Sequence, residues 1–241
     1  METKKNSNTA SQQPAPLTVY LGSPDNQVQA NAVKDMPVLL SFVLAGRHKF
    51  IDQYVPTFNR ILLDCGAYSA MTRNVTIDGH AYRDWYQRFD GLCDAYAGID
   101  DISGDWRQSW KNYQEFGGFP TFHDTDPPEY LADLIALAAD RGRWLGIGLQ
   151  PPREGKEQFI RSVCEQVPDD YHIHGWALRA YTHINRLDSV DSTNWFRDAM
   201  DLRVLPLCKH LTYPETLEII VKRYQRAHRK LREPIAQGQL F

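Results

Sequence analysis

Residues 120–150 read PTFHDTDPPEYLADLIALAADRGRWLGIGLQ. Two short apolar runs, PTFH (120–123) and WLGIGLQ (144–150), flank one helical pattern, PPEYLADLIALAADRG (127–142). That helix opens with proline in its first turn, where a missing N–H goes unnoticed, and stops at a glycine. Strand, helix, strand at this spacing is the crossover unit of a parallel sheet. The alternation extends in both directions. LTVYLG (17–22), VLLSFVLAG (38–46), RILLDCGAYS (60–69) and CDAYAGIDDIS (93–103) precede it as further candidate strands. YHIHGWAL (171–178), LDSVDS (187–192) and VLPLC (204–208) follow. Helical patterns lie between them: HAYRDWYQRF (80–89) after a fair cap at Asp78, KEQFIRSVCEQV (156–167), TNWFRDAM (193–200) and PETLEIIVKRYQRAHRKLRE (214–233). About eight such units in roughly 220 residues predict an α/β fold, a compact single-domain (β/α)8 TIM-like barrel. An open doubly wound sheet is the alternative.

The chain has 241 residues, 42% apolar and 24% charged, enough for one sizeable core without a disulfide or metal staple. Its net charge of -3 excludes a uniformly basic nucleic-acid coat but leaves room for a local basic patch. No apolar run approaches the length of a membrane span. Residues 1–16, METKKNSNTASQQPAP, are polar and read as a disordered tail rather than a secretory signal. The barrel domain is expected over 17–233, with a flexible tail over 234–241. Cys65, Cys93, Cys164 and Cys208 are scattered and form no CxxC. That pattern suits a reducing cytoplasm and speaks against zinc fingers and disulfide frameworks.

Most of the apolar runs end in polar or small residues: Asp64, Asp100 with Asp101, His123 with Asp124, Gln150, Gly175, and Asp188 with Asp191. In a barrel the strand C-termini converge on one face, so Asp64, Asp100, Gln150, Gly175 and Asp191 are expected around one pocket. For any single aspartate, capping of the next helix is an equally good explanation. Gly66, directly after Asp64-Cys65, lets the backbone approach a planar ligand or take positive φ. Tyr68 is placed to stack on a base or to pack on the barrel rim. Phosphate loops, GxSxG and HExxH are all missing, and GIG (146–148) is too short to count. His172 and His174 alternate along a strand and share a face, but no third ligand accompanies them, so no metal is expected. Trp85, Trp106, Trp110 and Trp195 read as core residues more readily than as stacking platforms.

The succession LLDCGAYS, AGIDDIS, LGIGLQ, IHGWAL and LDSVDS resembles the tRNA-guanine transglycosylase (queuine tRNA-ribosyltransferase) superfamily over roughly residues 60–195. The CxCxxC…H zinc element of its tRNA-acting members is missing. The chain is therefore most similar to the deoxypurine-in-DNA protein A group of phages and genomic islands. The resemblance implies a glycosyltransferase that replaces guanine in DNA with a 7-deazaguanine such as preQ0, without cofactor or metal, through a covalent aspartyl-deoxyribose intermediate. By the same resemblance Asp191 is the nucleophile, Asp64 the general acid/base and Asp100 the acid that reads the base edge. Gln150, Gly175, Gly66 and Tyr68 complete the base site. A tRNA-acting enzyme and a non-catalytic nucleic-acid-binding barrel are the alternatives.

Two features of the C-terminal region point to partners. Lys222, Arg223, Arg226, Arg229 and Lys230 form a basic stripe suited to phosphates, or else a solvated surface helix. Gln237 to Phe241 resembles the short peptide by which bacterial replication and repair proteins dock on the sliding clamp.

Overall fold

The computed structural model describes residues 17–46, 48–152 and 155–230. Eight parallel strands form one sheet: β1 (Thr18–Gly22), β2 (Pro37–Ser41), β3 (Arg60–Asp64), β4 (Ala95–Tyr96), β5 (Thr121–His123), β6 (Trp144–Gly148), β7 (His172–Gly175) and β8 (Ser189–Ser192). Their order, β4-β3-β2-β1-β8-β7-β6-β5, follows the chain around a ring. The ring closes between β4 and β5 through a parallel bridge of Ala97 with Phe119. There the Gly98 N–H donates to Phe119 O at 2.8 Å and the Phe119 N–H to Tyr96 O at 2.9 Å. The fold is the expected (β/α)8 TIM-like barrel, and ring closure rules out the open sheet.

The outer layer comprises α1 (Gln27–Ala32), α2 (Phe42–Ala45), α3 (Ile51–Tyr54), α4 (Ala67–Thr72), α5 (Gly79–Gln87), α6 (Trp106–Phe116), α7 (Tyr130–Ala139), α8 (Glu157–Gln166), α9 (Asn194–Val204) and α10 (Tyr213–Lys230). Asp78 caps α5 as expected, its carboxylate accepting from the His80 and Ala81 N–H groups. Three expectations need correction. VLPLC (204–208) is no strand: Val204 ends α9 and Pro206–Cys208 is a 3-10 turn. Pro206 has no N–H for a ladder. VLLSFVLAG (38–46) is half strand and half helix, because β2 must stop at the barrel mouth. The crossover from β4 to β5 is α6, a segment read only as loop; Asp105 caps it by accepting from the Arg107 and Gln108 N–H groups.

The core has two shells. The apolar faces of the helices pack on the outside of the sheet, with Trp85 and Trp195 buried there. Trp106 and Trp110 pack against Tyr130 of α7. All four tryptophans are thus structural. Inside the ring lie Tyr20, Leu39, Leu62, Ala97, Phe119 and Trp144. The two glycines of β6 make room there. A Cβ on Gly146 would stand 2.5 Å from Trp176 Nε1, and one on Gly148 would stand 2.3 Å from His123 Cδ2. The GIG segment therefore seats large interior side chains from neighbouring strands.

Candidate active site

Three carboxylates meet at the C-terminal ends of the strands. Asp64 ends β3, next to Ser41 at the end of β2. The chain then turns sharply: Gly66 takes φ +82°, and its N–H returns to Asp64 Oδ1 at 2.9 Å. A side chain at Gly66 would also strike Ser41 Oγ at 2.5 Å, so glycine here is a requirement of the turn. Burial pushes the Asp64 carboxyl up to about 7. The Gly66 N–H and the Ser41 hydroxyl oppose the rise, while the charges of Asp191 and Asp100 add to it.

Asp100 follows β4 and accepts a hydrogen bond from the Tyr113 hydroxyl, which α6 delivers from outside the ring. Burial raises its pKa against the opposing pull of His123, Tyr113 and Thr121. His123, at the end of β5, places Nε2 at 3.9 Å from Asp100 and Nδ1 at 3.6 Å from Asp126. Burial alone would push this imidazole down; its bond to Asp126 and the charges of Asp100, Asp126 and Asp124 carry it above its ordinary value. Asp191, near the end of β8, is buried and accepts from the Ala177 N–H at 2.6 Å. His174 Nε2 stands 3.6 Å from its Oδ1.

Of the expected pocket, Asp64, Asp100 and Asp191 do come together, close enough for Asp64 to feel the charge of both others. Gln150 is held beside them by the loops. Its amide donates to Ile102 O at 3.0 Å and its N–H to Asp124 Oδ1 at 2.8 Å, so it ties loops together. Gly175 pairs with Ile147 and Val190 in the ladders. Tyr68 points to solvent, 61% exposed on α4. Lys222, Arg223 and Arg226 are exposed on α10, with Lys222 paired to Glu218 at 2.5 Å. Arg229 and Lys230 belong to the last turn of that helix. The tail segments 1–16 and 234–241, including Gln237–Phe241, lie outside the described residues.

Sequence reasoning missed Tyr113 and Lys156. Lys156 pairs with Asp124 at 2.8 Å. Tyr113 had a usable signal, since a capped helix after GIDD would put it one face from the strand ends. A cavity of about 390 Å³ adjoins Asp100, lined by Ala67, Met71, Ile77, Ile99, Asp101 and Gln108 among others. A larger one, about 510 Å³, opens at the opposite end of the barrel beside Asp94 and Trp144. Among the described residues no group of three or more His, Cys, Asp and Glu is arranged to hold a metal ion. No helix among them is long and apolar enough to cross a membrane.

No family model matches the chain. No curated protein matches it either. Among solved structures it is similar to one described as the native KDPGal structure, at 13% identity over 88% of this chain and 95% of that one, with a TM-score of 0.45. It is also similar to a protein of Aquifex aeolicus VF5, at 8% identity over 87% of this chain and 93% of that one, with a TM-score of 0.49. These findings overturn the resemblance to the tRNA-guanine transglycosylases. With it fall the guanine exchange in DNA, the deazaguanine substrate and the glycosyltransferase class, and the tRNA-acting and non-catalytic alternatives are no better supported. The physical reason lies in the motifs themselves. A short strand that ends in an acid or a glycine is what a parallel barrel places at its mouth, whatever reaction it hosts.

Proposed function

We propose that the chain is an enzyme that catalyses proton transfer on a small polar substrate at the C-terminal mouth of its barrel. Asp64 is the acid and Asp191 the base. The observation that carries this reading is the pairing of Asp64, whose carboxyl sits at about 7, with a second carboxylate served by a backbone N–H donor. A group poised near neutrality both gives and takes protons efficiently. Two acids in different surroundings divide the acid and base roles between them. Asp64 protonates the departing or carbonyl-type atom, while Asp191 takes a proton from the substrate or from water. Asp100, held by Tyr113 and facing His123, orients the substrate through its hydrogen-bond donors.

The charge of the mouth narrows the substrate class. Among the described residues, Asp100 faces His123 and Asp191 faces His174, while Lys156 is taken by Asp124. Such a site favours neutral or cationic molecules rich in donors, such as amines, amidines and polyols, over phosphorylated ones. The cavity beside Asp100 has the size of a small-molecule site. Among the described residues no strand carries a lysine, and the mouth lysine Lys156 is held in an ion pair with Asp124.

A thermal-shift panel tests the reading. Donor-rich neutral and cationic compounds should stabilise the protein, and D191N and D64N should abolish turnover of the best hit. Turnover should also fall above about pH 7 as Asp64 loses its proton. Stabilisation by phosphorylated compounds alone would refute it.

A further inference from the structure

The inner faces of β7 and β8 carry a line of polar side chains that leads to Asp191. His172 Nε2 lies 2.7 Å from Ser189 Oγ. The same oxygen lies 2.9 Å from His174 Nδ1. His174 Nε2 then faces Asp191 Oδ1 at 3.6 Å and has no hydrogen-bond partner, although the residue is fully buried. The interior of a (β/α)8 barrel is usually filled by branched apolar side chains. A buried imidazole nitrogen left open toward a carboxylate departs from that pattern and calls for an explanation.

Hydrogen-bond counting supplies one. Ser189 has one proton to give and two ring nitrogens beside it, so satisfying that proton makes one nitrogen the acceptor and leaves the other to donate. In the first arrangement Ser189 donates to His174 Nδ1, and His172 Nε2–H donates to Ser189. His174 then presents Nε2–H to Asp191, which suits a carboxylate. In the second, Ser189 donates to His172 Nε2, and His174 Nδ1–H donates to Ser189. His174 then presents a lone pair to Asp191, which suits a carboxylic acid. With both rings donating to Ser189 Oγ, the fully buried Ser189 proton would be left without an acceptor.

We propose that His174 is a positioning residue whose tautomer is locked to the protonation of Asp191, and that the His174–Ser189–His172 chain exchanges the Asp191 proton with the far end of the barrel. This rests on Asp191 being the base of the site. When the acid form discharges, the Asp191 O–H breaks and His174 Nε2–H forms. His174 Nδ1–H passes to Ser189 Oγ, and the old Ser189 proton passes to His172 Nε2. His172, which is only half-buried, releases its Nδ1 proton to water, so both rings end neutral. Burial, His174, Arg60 and Arg186 hold His172 down at about 3, which keeps it from storing the proton. The other groups facing the chain are Tyr20, edge-on to His174 and bonded to Asp94, and Asp64, whose charge couples to Asp191.

NMR of the full-length protein tests this without substrate. Ring ¹⁵N shifts report the His174 tautomer, and the ¹³Cγ shift reports Asp191. The His174 tautomer should change with the same midpoint as the Asp191 carboxyl. H172F leaves Ser189 only His174 to donate to, so His174 should stay Nε2–H at every pH and the Asp191 midpoint should move down. S189A should uncouple the two titrations. A single His174 tautomer in the wild-type protein while Asp191 titrates would overturn the proposal, as would an unchanged Asp191 midpoint in H172F. Because no substrate is involved, these results stand apart from the D191N turnover test. Coupled titration with undiminished D191N turnover would refute the catalytic reading alone.

Discussion

Replacing Asp64 by Asn should make the protein more stable at alkaline pH while disabling it. The folded chain holds the Asp64 proton up to about 7, whereas the unfolded chain releases it near 3.8. Between those values the folded state binds more protons, so this carboxyl's contribution is fully present in acid and is lost as pH rises through the window. About three pH units at 1.36 kcal/mol each gives a ceiling of about 4 kcal/mol at pH 8. The real figure is smaller, because Asp64 is half-buried and shares its charge with Asp191 and Asp100. An asparagine keeps an oxygen for the Gly66 N–H and never ionises. For a domain of this size about 1 kcal/mol moves the melting temperature by roughly 2–4 °C. The D64N melting point should therefore match the wild type near pH 4 and exceed it by up to about 10 °C at pH 8. Thermal denaturation by circular dichroism at four or five pH values measures this. Parallel pH profiles for the two proteins would refute the burial of an un-ionised Asp64.

Three further outcomes follow from the same structure. Gly118 takes φ +84° at the β4–β5 seam, and a Cβ there would stand 2.5 Å from Gly98 N; G118A should cost at least about 2 kcal/mol in urea unfolding. The Tyr20 hydroxyl donates to Asp94 at 2.8 Å inside the ring; Y20F should cost about 1–3 kcal/mol and leave the far-ultraviolet spectrum unchanged. Trp195 is fully buried, and its Nε1–H donates to Gly22 O at 3.0 Å; W195F should cost about 2–4 kcal/mol, read by the same unfolding curves.

The barrel was legible because its signal is repeated. Each strand is a short apolar run, each well-capped helix sits between two of them, and the parallel ring is the compact way to close eight such units. Asp64, Asp100 and Asp191 were legible for the same reason, since the topology alone sends strand C-termini to one mouth. What was not legible depends on where a loop residue turns. Gln150 stands at a strand end as expected, but its amide is spent on Ile102 O, a partner 48 positions away that no local pattern announces. Tyr113 reaches Asp100 only because α6 exists; its stripe of Trp106, Trp110 and Tyr113 at i, i+4 and i+7 is carried on an otherwise polar sequence that reads as loop. The family resemblance failed because its motifs were strand ends, which report the fold and not the reaction.

The two ends of the barrel interior are built for opposite tasks. At the N-terminal end, Arg60 Nε contacts both Asp94 oxygens at 3.1 Å, Arg60 donates to Thr18 Oγ1 at 2.8 Å, and Tyr20 donates to Asp94. Here each charge is neutralised by its neighbour, and the cluster serves as a plug. At the C-terminal end three carboxylates crowd together and Asp64 is left to carry a proton into the neutral range. An interior this polar costs stability unless its groups are paired. The plug meets that demand with an ion pair. The mouth meets it in part, through the Gly66 and Ala177 N–H groups, the Tyr113 hydroxyl and His123, and crowded acids with perturbed protonation cluster at functional sites. Between them lie His172, Ser189 and His174, hydrogen-bonded in a line on the inner faces of β7 and β8. A route that merely filled space would be better made of valine and leucine. Its place beside Asp191, rather than beside Asp64 or Asp100, favours the proposed role of Asp191 as the group that exchanges its proton.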